Sequence, residues 1–131
     1  DNEAPKGKKS PLKTFEEYRT DLNTNYPNVV VIVNNPCIEF WFLLHFEKTS
    51  KYFNTCSSAE TQLKKHLKNY EKTQKFFTKQ NDDIYLKLKP NLKAAIDNSI
   101  ALGNFDNENP KKAMCEMDLL FKSDELKKHF E

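Results

Sequence analysis

The chain has 131 residues, 37% hydrophobic and 31% charged, and its 21 basic and 19 acidic residues leave a formal net charge of +2. That length allows one domain. The apolar content is too high for outright disorder yet lean for a self-sufficient core, and the charge balance excludes a purely electrostatic, histone-like nucleic-acid binder.

Other counts narrow the field. The two glycines, Gly7 and Gly103, exclude a Gly-rich phosphate loop, a dinucleotide fingerprint and a glycine-turned β-barrel in these residues. Twenty lysines against a single arginine, Arg19, with 14 asparagines, point to AT-rich microbial coding. No run of apolar residues is long enough to span a membrane. Cys37, Cys56 and Cys115 are odd in number and widely spaced, which gives neither a zinc pattern nor a disulfide framework; the expectation is reduced thiols in a cytoplasmic protein. The first residue is Asp1, so the expectation is a piece of a longer protein.

In chain order, residues 1–10 read as a flexible polar loop. Leu12, Phe15, Tyr18, Arg19 and Leu22 recur at helical spacing and predict a helix over 11–24. Val29, Val30, Val31, Ile32 and Val33 are five β-branched residues in a row, a poor helix and a good strand. Apolar on both faces, that strand is expected inside a parallel sheet covered by helices. Asn35 as N-cap and Pro36 at the first helical position then predict a buried helix over 36–48.

Ser57 and Glu60 have capping-box spacing before Ala59, Leu63, His66, Leu67 and Tyr70. Short helices are expected over 72–80 and 82–89. Pro90 opens a further one through Ala94, Ala95, Ile96 and Ile100 that Gly103 ends. Asn109 and Pro110 repeat the cap-then-proline device before Met114, Met117 and Phe121, and a last helix runs over 123–130. The expected class is α/β, mostly helical, with one clear buried strand (29–33) and five to seven helices.

The site-like stretch is residues 29–48, VVVIVNNPCIEFWFLLHFEK. In open α/β sheets ligands sit beyond the carboxyl ends of strands, so Asn34, Asn35, Cys37 and Glu39 stand where chemistry is expected. Glu39 in an apolar helix must be protonated, paired or metal-bound. It could equally be a dipole partner or a buried structural acid paired with a lysine. His45 is the other polar group in that helix body, a candidate base or a hydrogen-bonded core histidine. Six residues apart, the two side chains stand about 120° apart around the axis and do not share a face. Trp41 reads as core. Cys37 is a weak candidate nucleophile.

Residues 34–48, NNPCIEFWFLLHFEK, resemble the NPCFExWLLLHF signature of RloB-like proteins. The likeness continues through Ser58–Glu60, Asn69-Tyr70-Glu71-Lys72, Ala94-Ala95 and Asn109-Pro110, spanning most of 29–121. Asn69 stands where the family has glycine, and Lys111-Lys112-Ala113 replace Ser-Thr. The resemblance implies a bacterial anti-phage defence protein, restriction-linked and AbiLii-related, of the abortive-infection type. It implies a Toprim-like domain in which a glutamate and a D-x-D pair hold Mg²⁺ for phosphodiester hydrolysis of DNA or RNA. Residues 1–131 would then be a single domain or the C-terminal part of one, with most metal ligands upstream and Asp1 the tail of an acidic strand end. Glu39 and His45 match motif positions and are the catalytic candidates. By itself this stretch is expected to be inactive.

Residues 57–93 carry nine lysines and four acids, net +5. Lys64, Lys68, Lys72, Lys75 and Lys79, with Lys65 beside them, would stripe one face of a continuous helix, with Tyr70, Phe76 and Phe77 interleaved. Such a stripe could hold a nucleic-acid backbone and stack bases, or be a solvated lysine face. The alternative to a nuclease is a non-catalytic helical module that binds nucleic acid or a defence partner protein.

Overall fold

The computed structural model describes residues 14–106 and 108–130, so the expected loop at 1–10 and Asp1 lie outside the described residues. Helix α1 spans Phe15–Asn25, with the Thr14 hydroxyl accepting the Glu17 N–H. Strand β1 is Asn34–Asn35 and helix α2 is Ile38–Leu43. Helices α3 (Cys56–Leu63), α4 (Gln74–Phe77) and α5 (Ile84–Leu88) follow. A 3₁₀ turn with Pro90 leads into α6 (Leu92–Leu102). Strand β2 is Met114–Cys115, and α7 (Asp118–Lys122) and α8 (Asp124–Phe130) close the described chain.

The sheet differs from expectation in place and direction. The two strands pair antiparallel, Asn34 with Cys115 and Asn35 with Met114. The valine run before β1 carries no regular structure, and Val29 and Val30 are 49% and 75% exposed. Five β-branched residues do reject helix, but a strand forms only where a partner pairs it. That partner is 113–116, and it reaches only as far as Val33. The Val33 carbonyl accepts the Glu116 N–H at 2.8 Å, and the Val33 N–H donates to the Glu116 carboxylate at 3.1 Å.

The same pairing explains two other differences. Met114 lies in β2 rather than in a helix opened by Pro110. Asn35 is not an N-cap: its side-chain amide donates to the Pro110 and Lys112 carbonyls at 2.7 and 3.0 Å, clamping the turn before β2. Cys37 is the N-cap of α2, which ends at Leu43 and unwinds into turns. The capping box also falls two residues early. Thr55 exchanges bonds with Ser58, while Glu60 pairs with Lys64 at 3.2 Å. Gly103 ends α6 as expected, at φ 76, a left-handed backbone that favours glycine.

Helix α2 is the centre of the core. Phe40, Leu43 and Leu44 are fully buried and share one core cluster with Phe53, Ala59, Leu63, Leu88 and Ala95. Each such large side chain contributes about 1.5–3 kcal/mol on burial. That α2 is apolar all round follows from this position.

Candidate functional site

Glu39 is 1% exposed in the first turn of α2. One carboxylate oxygen, Oε1, accepts the Tyr70 hydroxyl at 2.9 Å and faces the Lys72 ammonium at 3.3 Å. The other, Oε2, is buried with no hydrogen-bond partner among the described residues. Burial, and then the Glu39 carboxylate, push the Tyr70 phenol far up, so it stays a proton donor. Of the readings open in the sequence, the paired buried acid describes this geometry.

Beside Glu39, the sulfurs of Cys37 and Cys56 meet as a disulfide, with Cα atoms 5.8 Å apart. This corrects the expectation of three reduced thiols. The starts of α2 and α3 converge in the core, so cysteines 19 residues apart come together. Cys115 alone is free; burial pushes its thiol up to about 11, and it donates to the Asn34 side-chain oxygen at 3.1 Å. A cavity of about 310 Å³, lined by Val31, Val33, Asn34, Cys37 and Lys72 among others, reaches this cluster.

His45 does not join Glu39. Its Nδ1 is 3.0 Å from the Trp41 carbonyl one turn back. A carbonyl only accepts, so Nδ1 carries the proton and Nε2 keeps its lone pair. Desolvation lowers the imidazole pKa against two backbone hydrogen bonds that raise it. The ring therefore stays neutral at physiological pH. It lines an apolar cavity of about 200 Å³ with Trp41, Ile84, Leu88, Leu92 and Phe121. That cavity shares Tyr85, Lys89, Leu92 and Phe121 with a larger one of about 810 Å³, whose lining adds Lys93, Asp97, Lys127 and His129. Through these shared residues the two adjoin as one cleft, lined by lysines and one acid in the larger part and by apolar and aromatic side chains around His45 in the smaller.

The lysine block is broken rather than striped. Helix α3 ends at Leu63 and α4 is four residues long, so Lys64 to Lys79 do not share one helical face. Lys64 pairs with Glu60, Lys72 with Glu39 and Lys79 with Asp82. Tyr70, Phe76 and Phe77 pack on one another at ring distances of 5.4–6.2 Å, and Tyr70 and Phe77 also on Phe42. Tyr70 is buried in the core, and Phe76 and Phe77, half-buried, pack against it. Lys65, Lys68 and Lys75 stand exposed. Lys68 also edges a cavity of about 290 Å³ with His66, Asn69, Phe76 and Lys87.

A family model described as RloB-like protein matches residues 2–123. The chain belongs to the RloB-like family. No curated protein and no solved structure matches it. Among the described residues of this RloB-like chain no helix is long and apolar enough to cross a membrane.

The Mg²⁺ expected from the resemblance does not fit the described residues. Mg²⁺ demands near-octahedral oxygen ligands. Among the described residues the one grouping of three or more metal-binding side chains is Cys37, Glu39 and Cys56, of which two offer sulfur. Asp1 lies outside the described residues.

Sequence reasoning missed Glu116. It is 2% exposed, and its carboxylate accepts the Val33 N–H at 3.1 Å and the Phe105 N–H at 3.2 Å. The only arginine, Arg19, faces it at 3.8 Å. A single acid inside the MCEM run was the available signal.

Proposed function

We propose that this RloB-like chain is the nucleic-acid-binding part of a bacterial anti-phage protein of the abortive-infection type, and that the cleft over His45 takes an unstacked base of a single strand. The observation that supports this is the cleft's polarity. Lys89, Lys93 and Lys127 line it with one acid, Asp97, among the described residues, and Tyr85, about half exposed, offers a ring beside Phe121, which stacks on Trp41. Cations hold the phosphate backbone and aromatic faces hold a base. Neutral His45, with Nε2 an acceptor, suits the amino or imino edge of that base.

Fluorescence anisotropy of labelled single-stranded RNA and DNA at several salt concentrations tests this. Lys89→Ala and Lys93→Ala should each weaken binding and flatten the log–log salt slope by about 0.7. If Lys65→Ala with Lys68→Ala does so instead, the cleft assignment fails and the exposed block carries the contact.

Phosphodiester hydrolysis with Mg²⁺, in the manner of Toprim domains, rests on the resemblance alone. Cleavage by the full-length protein with Mg²⁺, stopped by chelation, supports it; intact substrate under every condition counts against it. Glu39→Ala asks whether that motif glutamate takes part.

A further inference from the structure

We propose that Cys37, Cys56 and Glu39 form a redox-gated site for a thiophilic divalent cation, Zn²⁺ being the best fit. One sulfur of each cysteine and one carboxylate oxygen of Glu39 all lie within 4.8 Å of one another. Donors around tetrahedral zinc, with bonds of about 2.0–2.3 Å, stand roughly 3.5–3.8 Å apart. The carboxylate therefore lies near both sulfurs, and the sulfurs, bonded to each other here, separate to that spacing once the disulfide is reduced.

An independent observation points to a ligand. Glu39 Oε2 is buried without a hydrogen-bond partner among the described residues, although Oε1 of the same carboxylate is doubly engaged. A buried acceptor left unpaired is costly, and a metal ion beside the two sulfurs satisfies it. The neighbours suit the ion as well. The Tyr70 hydroxyl and Lys72 ammonium hold Oε1, as outer partners of metal-ligating carboxylates do. Two thiolates and a carboxylate carry three negative charges; one Zn²⁺ and Lys72 cancel them. The cavity of about 310 Å³ that reaches Cys37 gives a path for the ion and room for water as a fourth ligand.

As a disulfide the sulfurs cannot ligate as thiolates. Thiol–disulfide exchange with a dithiol reductant opens the site. The Cys37–Cys56 bond breaks, each sulfur takes a proton, and the reductant leaves as its own disulfide. Zn²⁺ then displaces the two thiol protons to solvent. Oxidation by a disulfide reverses the sequence and releases the ion. The site is independent of the His45 cleft, so the two proposals fail separately.

The test is Co²⁺ titration of the full chain, reduced and oxidised, followed by competition with Zn²⁺. Reduced protein should bind one equivalent, with the intense sulfur-to-cobalt charge-transfer absorption that thiolate ligation produces, and Zn²⁺ should abolish it. Oxidised protein should show none. Cys56→Ser should lose most of that intensity. Glu39→Gln, if folded by circular dichroism, should bind at least about tenfold more weakly. Reduced, folded wild-type protein with no charge-transfer band would overturn the proposal without any variant. Equal binding by reduced and oxidised protein, or undiminished intensity in Cys56→Ser, would also overturn it.

Discussion

The Tyr70 hydroxyl donates to Glu39 at 2.9 Å across 31 residues of sequence, tying the first turn of α2 to the segment that leads into α4. Both side chains are almost wholly buried. The bond joins a neutral donor to a carboxylate in the core, where such bonds are stronger than between neutral partners. Tyr70→Phe keeps the ring among Phe42, Phe76 and Phe77 and removes only the oxygen. It should cost about 1.5–3 kcal/mol in urea unfolding at unchanged m-value. A change within a few tenths of a kcal/mol would contradict the buried pairing.

Acidification should expose His45. Its folded pKa lies below the ordinary 6.5, with desolvation the largest cause. Between the lowered value and 6.5 the unfolded chain binds the proton more readily, so stability rises with pH across that window and is complete above it. Urea midpoints should fall between about pH 7 and about pH 5 more steeply for the wild type than for His45→Gln. Equal slopes would place the ring in solvent.

Glu116 gathers three partners from separate parts of the chain. Glu116→Ala strands the Val33 and Phe105 N–H groups and leaves Arg19 facing no carboxylate there. Thermal unfolding should show a loss of about 2–4 kcal/mol. Glu116→Gln keeps a carbonyl acceptor for one N–H and should lose less. A mild effect from alanine would mean that water replaces the carboxylate.

What could be read from the sequence was what depends on near neighbours. The buried α2, the Pro90 entry and Gly103 end of α6, and the separation of Glu39 from His45 all follow from spacing along one segment. What could not be read depends on pairing at a distance. The valine run shows that 29–33 is no helix, but only 113–116, some eighty residues on, decides where pairing occurs. Asn35 has the chemistry of an N-cap and of a clamp, and the Pro110 turn selects the second. Cys37 and Cys56 lack any short-range metal spacing because two different helices bring them together. Tyr70 stands between lysines in the sequence yet is buried in the core, because residue type does not reveal which aromatic is buried.

The cleft over His45 can be watched directly, because Trp41 is the only tryptophan in the chain and lines it. Intrinsic fluorescence, titrated with a short single-stranded oligonucleotide at low salt, therefore reports occupancy at the proposed site. The account predicts saturable quenching that tracks the anisotropy curve and is lost together with it in Lys89→Ala with Lys93→Ala. Oligonucleotide binding that saturates by anisotropy while Trp41 emission stays unchanged would contradict it.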